Sequence, residues 1–234
     1  MPKQLKICVT ILVWLCLWNA PSIANQAGEI EDVAGEVSIR NTKAQTNSAE
    51  IGDALYIGDL VKTRKDSQVT IKLRDDAVFQ IAHSSNFIID DFIVSETNRS
   101  LSARMIKGAL HYVSAQNSYA KDTRSLFLAN AELSIRGTNF IAEVGPRIQV
   151  VLLSGNVEIS TRSNTIKLDR RGHTVFLDRS GRFDEAYILP DADIEVLGNK
   201  LGWDINLPPR PKTLPFLLVN PVRCALINGL LVCG

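Results

Sequence analysis

Leu133-Ser134-Ile135-Arg136-Gly137-Thr138-Asn139-Phe140 opens a stretch that runs to Ser160 and carries the strongest fold signal in the chain. Two alternating runs, Leu128 to Ile135 and Phe140 to Val144, meet at a single glycine. Side chains of a strand alternate between its faces. Leu133 and Ile135 therefore share one face, and Phe140, Ala142 and Val144 make the next apolar row. Gly137 suits a point where the chain must bend or take a positive φ, because it has no Cβ to clash. After the Gly145-Pro146 turn come Ile148 to Leu153, Ser154-Gly155-Asn156, and Val157 to Ile159. Short strands punctuated by glycine predict an all-β domain.

The same pattern extends in both directions. Val33, Val37 and Ile39 alternate with polar residues, and two Gly-Asp steps at 52–53 and 58–59 predict turns. Val69, Ile71 and Leu73 share a face, and Arg74-Asp75-Asp76 turns into Ala77 to Ile81. Leu101 to Ile106 and Ala109 to Ser114 flank Gly108, and Gln116 to Arg124 reads as a polar loop. Toward the C-terminus, Gly172 precedes Thr174 to Leu177. The pattern suits a β-sandwich or a short solenoid-like stack of hairpins, both open at this point. One helix is expected, over Ala192 to Lys200, with Asp191 or Asp193 as its N-cap. The expected segments are 1–24, a signal peptide; 25–190, the β domain; 191–215, a connector with a short helix and the Pro208-Pro209-Arg210-Pro211 run; and 216–234, a disulfide-linked hairpin.

Lys3 and Lys6 precede an uncharged, mostly apolar run from Ile7 to Trp18, and Ser22-Ile23-Ala24 supplies small residues for cleavage. The run is short of the roughly 20 residues that span a bilayer as a helix. The expectation is cleavage after Ala24 and a protein that is periplasmic or secreted, with no membrane span once the signal is removed. Of 26 Lys and Arg, 24 then face 25 Asp and Glu, a balance of −1. That balance argues against nucleic acid as a partner. Cys224 and Cys233 are the cysteines left beyond the signal. They flank Asn228-Gly229, a strong two-residue hairpin signal. Counting outward places them opposite each other in a non-hydrogen-bonded pair, with Cα atoms about 4.5 Å apart. A disulfide can bridge that distance.

Gly58-Asp59-Leu60-Val61-Lys62-Thr63, the strand Ser67 to Asp76, Gly108-Ala109, Ile135-Arg136-Gly137-Thr138-Asn139-Phe140, Val151 to Val157 and Leu168 to Val175 occur in an order that resembles the FecR domain family. This is the periplasmic part of ferric-dicitrate-type cell-surface signalling regulators. The resemblance covers residues 50–178, and its most specific element is Arg136-Gly137-Thr138-x-Phe140. Asp76 stands where the family has glycine. A full regulator carries a cytoplasmic anti-sigma segment and a membrane helix before the domain. Here a signal sequence is expected first, so anti-sigma activity is not carried over. The resemblance implies an exported module that contacts a protein partner or ligand in the cell envelope. The alternative is a structural envelope protein that binds peptidoglycan or polysaccharide through a strand face.

Arg136 and Thr138 are the first candidate binding residues. A guanidinium fork could hold a carboxylate; the blander reading has Arg136 tie its own turn to carbonyls or to a core aspartate. Arg170 and Arg171 are the second pair and could meet an anionic glycan. No catalytic set emerges. Asp75-Asp76 and Asp90-Asp91 are adjacent on extended chain and point apart, while His83, His111 and His173 are scattered, so no metal site and no cofactor is expected. The chain reads as a non-enzyme.

Overall fold

A computed structural model describes residues 26–205, residue 207 and two strands at 224–227 and 230–233. The predicted signal and the proline connector lie outside the described residues. The chain is mostly β. In order, the strands are β1 (Gln26–Ala34), β2 (Val37–Arg40), β3 (Thr46–Ser48), β4 (Ala54–Tyr56), β5 (Leu60–Thr63), β6 (Gln68–Leu73), β7 (Val78–Ile81) and β8 (Asn86–Val94). They continue with β9 (Asn98–Val113), β10 (Lys121–Leu128), β11 (Ala131–Val144), β12 (Ile148–Ser160), β13 (Thr165–Leu168), β14 (His173–Leu177) and β15 (Tyr187–Ile188). A helix, α1 (Asp191–Leu201), precedes the hairpin strands β16 (Cys224–Ile227) and β17 (Leu230–Cys233).

The glycines that the sequence marks as breaks are corners inside long strands. The two runs about Gly108 are one strand, β9, and the same holds for β11 about Gly137 and β12 about Gly155. All three glycines have positive φ, +95°, +59° and +82°. The backbone turns there without ending its ladder. Each long strand thus pairs with different neighbours on its two halves. Before Gly108, β9 pairs with β8 and β10; after it, β9 pairs with β7 and β11.

This resolves the choice between sandwich and stack in favour of neither as stated. Among the described residues fifteen strands form a single hydrogen-bonded sheet, open at its ends. Bent strands fold it into two wings. The first wing runs β4-β1-β6-β7-β9-β11-β12-β14-β15, and the second runs β3-β2-β5-β8-β9-β10-β11-β12-β13. Their inner faces meet in one apolar core, where Phe79 of the first wing packs on Phe87 of the second at 4.8 Å and on Tyr112 at 4.7 Å. The pair β9–β10 is parallel, which requires a crossover. The second half of β9 and the loop 114–120 supply it.

The wings differ on their outer faces. Helix α1 covers the first wing: Ile194, Leu201, Trp203 and Ile205 pack on Ala109, Ile141, Val151 and Leu153. Both faces of these strand segments are therefore buried, as in the unbroken run Val150 to Leu153. Neither aspartate caps the helix. Pro190 is the N-cap and makes no side-chain cap bond, while Asp191 lies in the first turn and receives a hydrogen bond from Arg171 at 2.8 Å. The outer face of the second wing carries no helix among the described residues.

Lys121 to Arg124, expected in the polar loop, belong to β10. Both Gly-Asp steps are turns, held by the Asp53 and Asp59 carboxylates, which accept from the Glu50 and Tyr56 amides. The last two strands pair in the expected register, with Cys224 opposite Cys233; the sulfurs, and hence the disulfide, lie outside the described residues.

Candidate functional site around Arg136

At one edge of the molecule the chain crosses between the wings three times, at Gly137, at Gly155 and through the loop 114–120. Thr138 locks this edge. Its buried hydroxyl accepts from the Arg136 amide at 3.2 Å and donates to the Asn156 carbonyl at 2.7 Å, and its carbonyl accepts from the Ser114 amide at 3.0 Å. One residue thereby ties β11 to β12 and to the end of β9. The tie that the sequence assigns to Arg136 is made by Thr138.

Behind the loop lies a charge network that sequence reasoning missed. Arg99 forks onto Asp122 with bonds of 3.0 and 2.6 Å and reaches Asp75 at 3.0 Å. Arg124 also forks onto Asp122, with both bonds at 3.0 Å, and donates to Tyr112 Oη at 3.1 Å and to Ser114 Oγ. Arg99, Arg124 and Asp75 are buried, and Asp122 is partly open to solvent. The Tyr119 ring, in the loop, lies over the Arg99 guanidinium at 4.5 Å.

Two arginines and two aspartates balance, as buried charges must. Burial by itself would raise the Asp122 carboxyl; its hydrogen bonds and attraction to Arg99 and Arg124 outweigh that and hold it below the ordinary carboxylate range. Burial would likewise lower the Arg99 pKa, yet its bonds to Asp122 and Asp75 raise it. A signal for this network exists in the alternation. Arg99 falls in register with inward Leu101, Ala103 and Met105, and Arg124 with inward Leu126 and Leu128.

His111 lies on the other face of β9, between Gln80 Oε1 at 2.7 Å and Asn139 Oδ1 at 2.6 Å, with the Trp203 ring 5.9 Å away. Burial pushes its pKa down, and the Asn139 contact only partly opposes this. A neutral imidazole donates through one nitrogen only, so one of the two amides presents its NH2 to the ring.

Arg136 is the exception at this edge. It is exposed, and among the described residues its side chain forms no hydrogen bond or ion pair. It stands between two polar depressions. One, of about 540 Å³, lies under the loop and includes Gln116, Asn117, Tyr119, Asn139 and Ser154. The other, of about 620 Å³, is a trough on the outer face of the second wing that includes Thr123, Ser125, Ser134, Glu158 and Lys167. The Arg170–Arg171 pair does not join this edge. Arg171 is spent on Asp191 at the start of α1, and Arg170 is exposed beside Asp169 and His173. Among the described residues no cluster of His, Cys, Asp or Glu is arranged to hold a metal ion. No described helix is long and apolar enough to cross a membrane.

Comparison with known families bears directly on the Arg-Gly-Thr corner, because residues 59–158 match the model of the family described as FecR protein. That stretch is similar to a FecR domain. It contains both crossing glycines of the Arg136 edge and the whole charge network, Asp75 included. Two crystal structures of a candidate anti-sigma factor from Parabacteroides distasonis are similar to the chain. They are 10% and 12% identical, with TM-scores of 0.49 and 0.48, and each comparison covers 59% of this chain. The similarity spans 63% and 64% of those two chains. Comparison with curated proteins finds no match.

Proposed function

We propose that the chain is an exported, non-enzymatic FecR-type module that recognises a protein partner or ligand in the cell envelope through the edge around Arg136. The observation that carries this reading is the contrast between Arg136 and its neighbours. Arg99, Arg124, Asp75 and Asp122 are committed to one another, and His111 is held between two amides. These groups stiffen the edge and, among the described residues, leave Arg136 as its uncommitted charge. Bond-making chemistry needs a base or nucleophile free to meet a substrate; recognition needs a rigid edge and a free polar group, which is the arrangement found here. The FecR domain match over residues 59–158 supports a regulatory role. In this reading the protein is periplasmic or secreted, and Cys224 and Cys233 form a disulfide that staples the terminal hairpin.

The test is photo-crosslinking in intact cells from a reactive residue placed at the exposed Asn117. A stoichiometric protein adduct that disappears in Arg136→Gln supports the proposal. Unaltered adducts in that variant, or a chain recovered only from the cytoplasm with free thiols, would overturn it.

A further inference from the structure

The outer face of the second wing has a composition that strand formation does not explain. Serine is not a favoured strand residue, yet one cross-strand row runs Ser102, Ser125, Ser134, Glu158, Lys167 through β9 to β13. The next row places Ser100 beside Thr123, and Arg136 beside Asn156. Short hydroxyl side chains make the floor of the 620 Å³ trough, and longer charged ones make its walls. Thr123 and Ser134 have no side-chain hydrogen bond among the described residues, whereas Ser125 donates to Glu132 at 2.7 Å.

The walls are largely neutralised from within. Lys167 pairs with Glu158 at 3.2 Å, and Asp122 is held by its two arginines. Among the described residues Arg136 is left as the uncompensated charge, and a guanidinium fork fits a carboxylate. We infer that this trough binds an acidic saccharide, with Arg136 taking the carboxylate and the Ser/Thr floor taking ring hydroxyls. The inference rests on reading the chain as a recognition module and names the ligand class of that same edge.

Three alternatives fit the trough less well. Strand addition requires a free sheet edge, but Arg136 and the Ser/Thr floor lie on β10 and β11, whose backbones are already paired on both sides, and only the Lys167 wall belongs to the edge strand β13. A peptide docked by its side chains needs pockets for the apolar ones, and the exposed floor here is made of hydroxyls. Nucleic acid needs several phosphate contacts, and among the described residues the trough offers Arg136 as its one unpaired cation. Neighbouring strands set successive side chains of one row about 4.8 Å apart, a spacing on the scale of a sugar ring, which presents its hydroxyls in a plane.

Titration calorimetry of the purified chain with an oligogalacturonate, its methyl ester and an oligoglutamate of equal charge tests this. The acid should bind. Affinity should fall about tenfold or more on esterification and in Arg136→Gln, the loss of one charge-assisted contact, and should also fall in Ser134→Val, which fills the floor. Absence of binding, equal affinity for acid and ester, or tighter binding of the oligoglutamate would each overturn the inference. If the saccharide fails while Arg136→Gln still abolishes the envelope crosslinks, only the ligand class falls; if the crosslinks are also indifferent to Arg136, the module reading falls with it.

Discussion

Gly155 and Gly137 meet at the corner of β11 and β12 in an asymmetric way. A Cβ on Gly155 would lie 2.1 Å from the Gly137 carbonyl oxygen, whereas a Cβ on Gly137 would meet nothing within 4 Å. Both have positive φ, but only at Gly155 would a Cβ also run into backbone. Gly137→Ala should cost about 1–2 kcal/mol, the left-handed backbone penalty. Gly155→Ala adds a steric clash and should cost clearly more, beyond about 3 kcal/mol. Denaturant melts of the two variants check the order.

Asp76 occupies the position where the FecR family has glycine, and its φ is +67°. A residue with positive φ explains both facts, since aspartate tolerates the left-handed region better than most. Asp76→Gly should change stability by less than about 1 kcal/mol, because relief of the backbone is offset by a freer unfolded chain. Asp76→Val should cost about 1–2 kcal/mol. Thermal melts of both variants decide it.

Much of the first-order plan was legible in the sequence: strands, turns, the helix and the hairpin register all follow from alternation, Gly-Asp steps and Asn228-Gly229. What alternation could not convey is that Gly108, Gly137 and Gly155 turn a strand without ending it, because a bent ladder and two short strands share one local pattern. The double burial of Val150 to Leu153 similarly depends on α1, a partner distant in sequence. Arg136 and Thr138 stood out at once, but their roles did not. Which of the two closes the corner is a matter of side-chain reach in three dimensions. Arg99 and Arg124 went unnoticed since a charged residue at an inward position reads as the end of a strand until its counter-charge is found.

The Arg99 network sets a second stability test. Removing one member of a buried pair strands the other. Arg99→Leu should destabilise the chain by about 3–5 kcal/mol, and Arg99→Leu with Asp75→Leu should cost less than the sum of the two single variants. A double-mutant cycle in urea measures the coupling; strict additivity would contradict the network.

His111 gives the fold a pH dependence of definite sign. Its folded pKa lies below the ordinary 6.5, so the unfolded chain binds the proton more readily. The stability it contributes is complete above pH 6.5 and is lost as the pH falls from there through the folded pKa. Wild type should weaken over this window more than His111→Gln does. Parallel pH profiles for the two proteins would contradict the burial of a neutral imidazole beneath Trp203.

In the proposed reading Arg136 serves recognition and contributes little to the fold. The direct measurement is Arg136→Gln, scored for stability and for envelope crosslinking in the same cells. The expected result is a change in unfolding free energy within about 0.5 kcal/mol, together with loss of the crosslinked partner. Marked destabilisation, or crosslinks of wild-type yield from a stable variant, would contradict it.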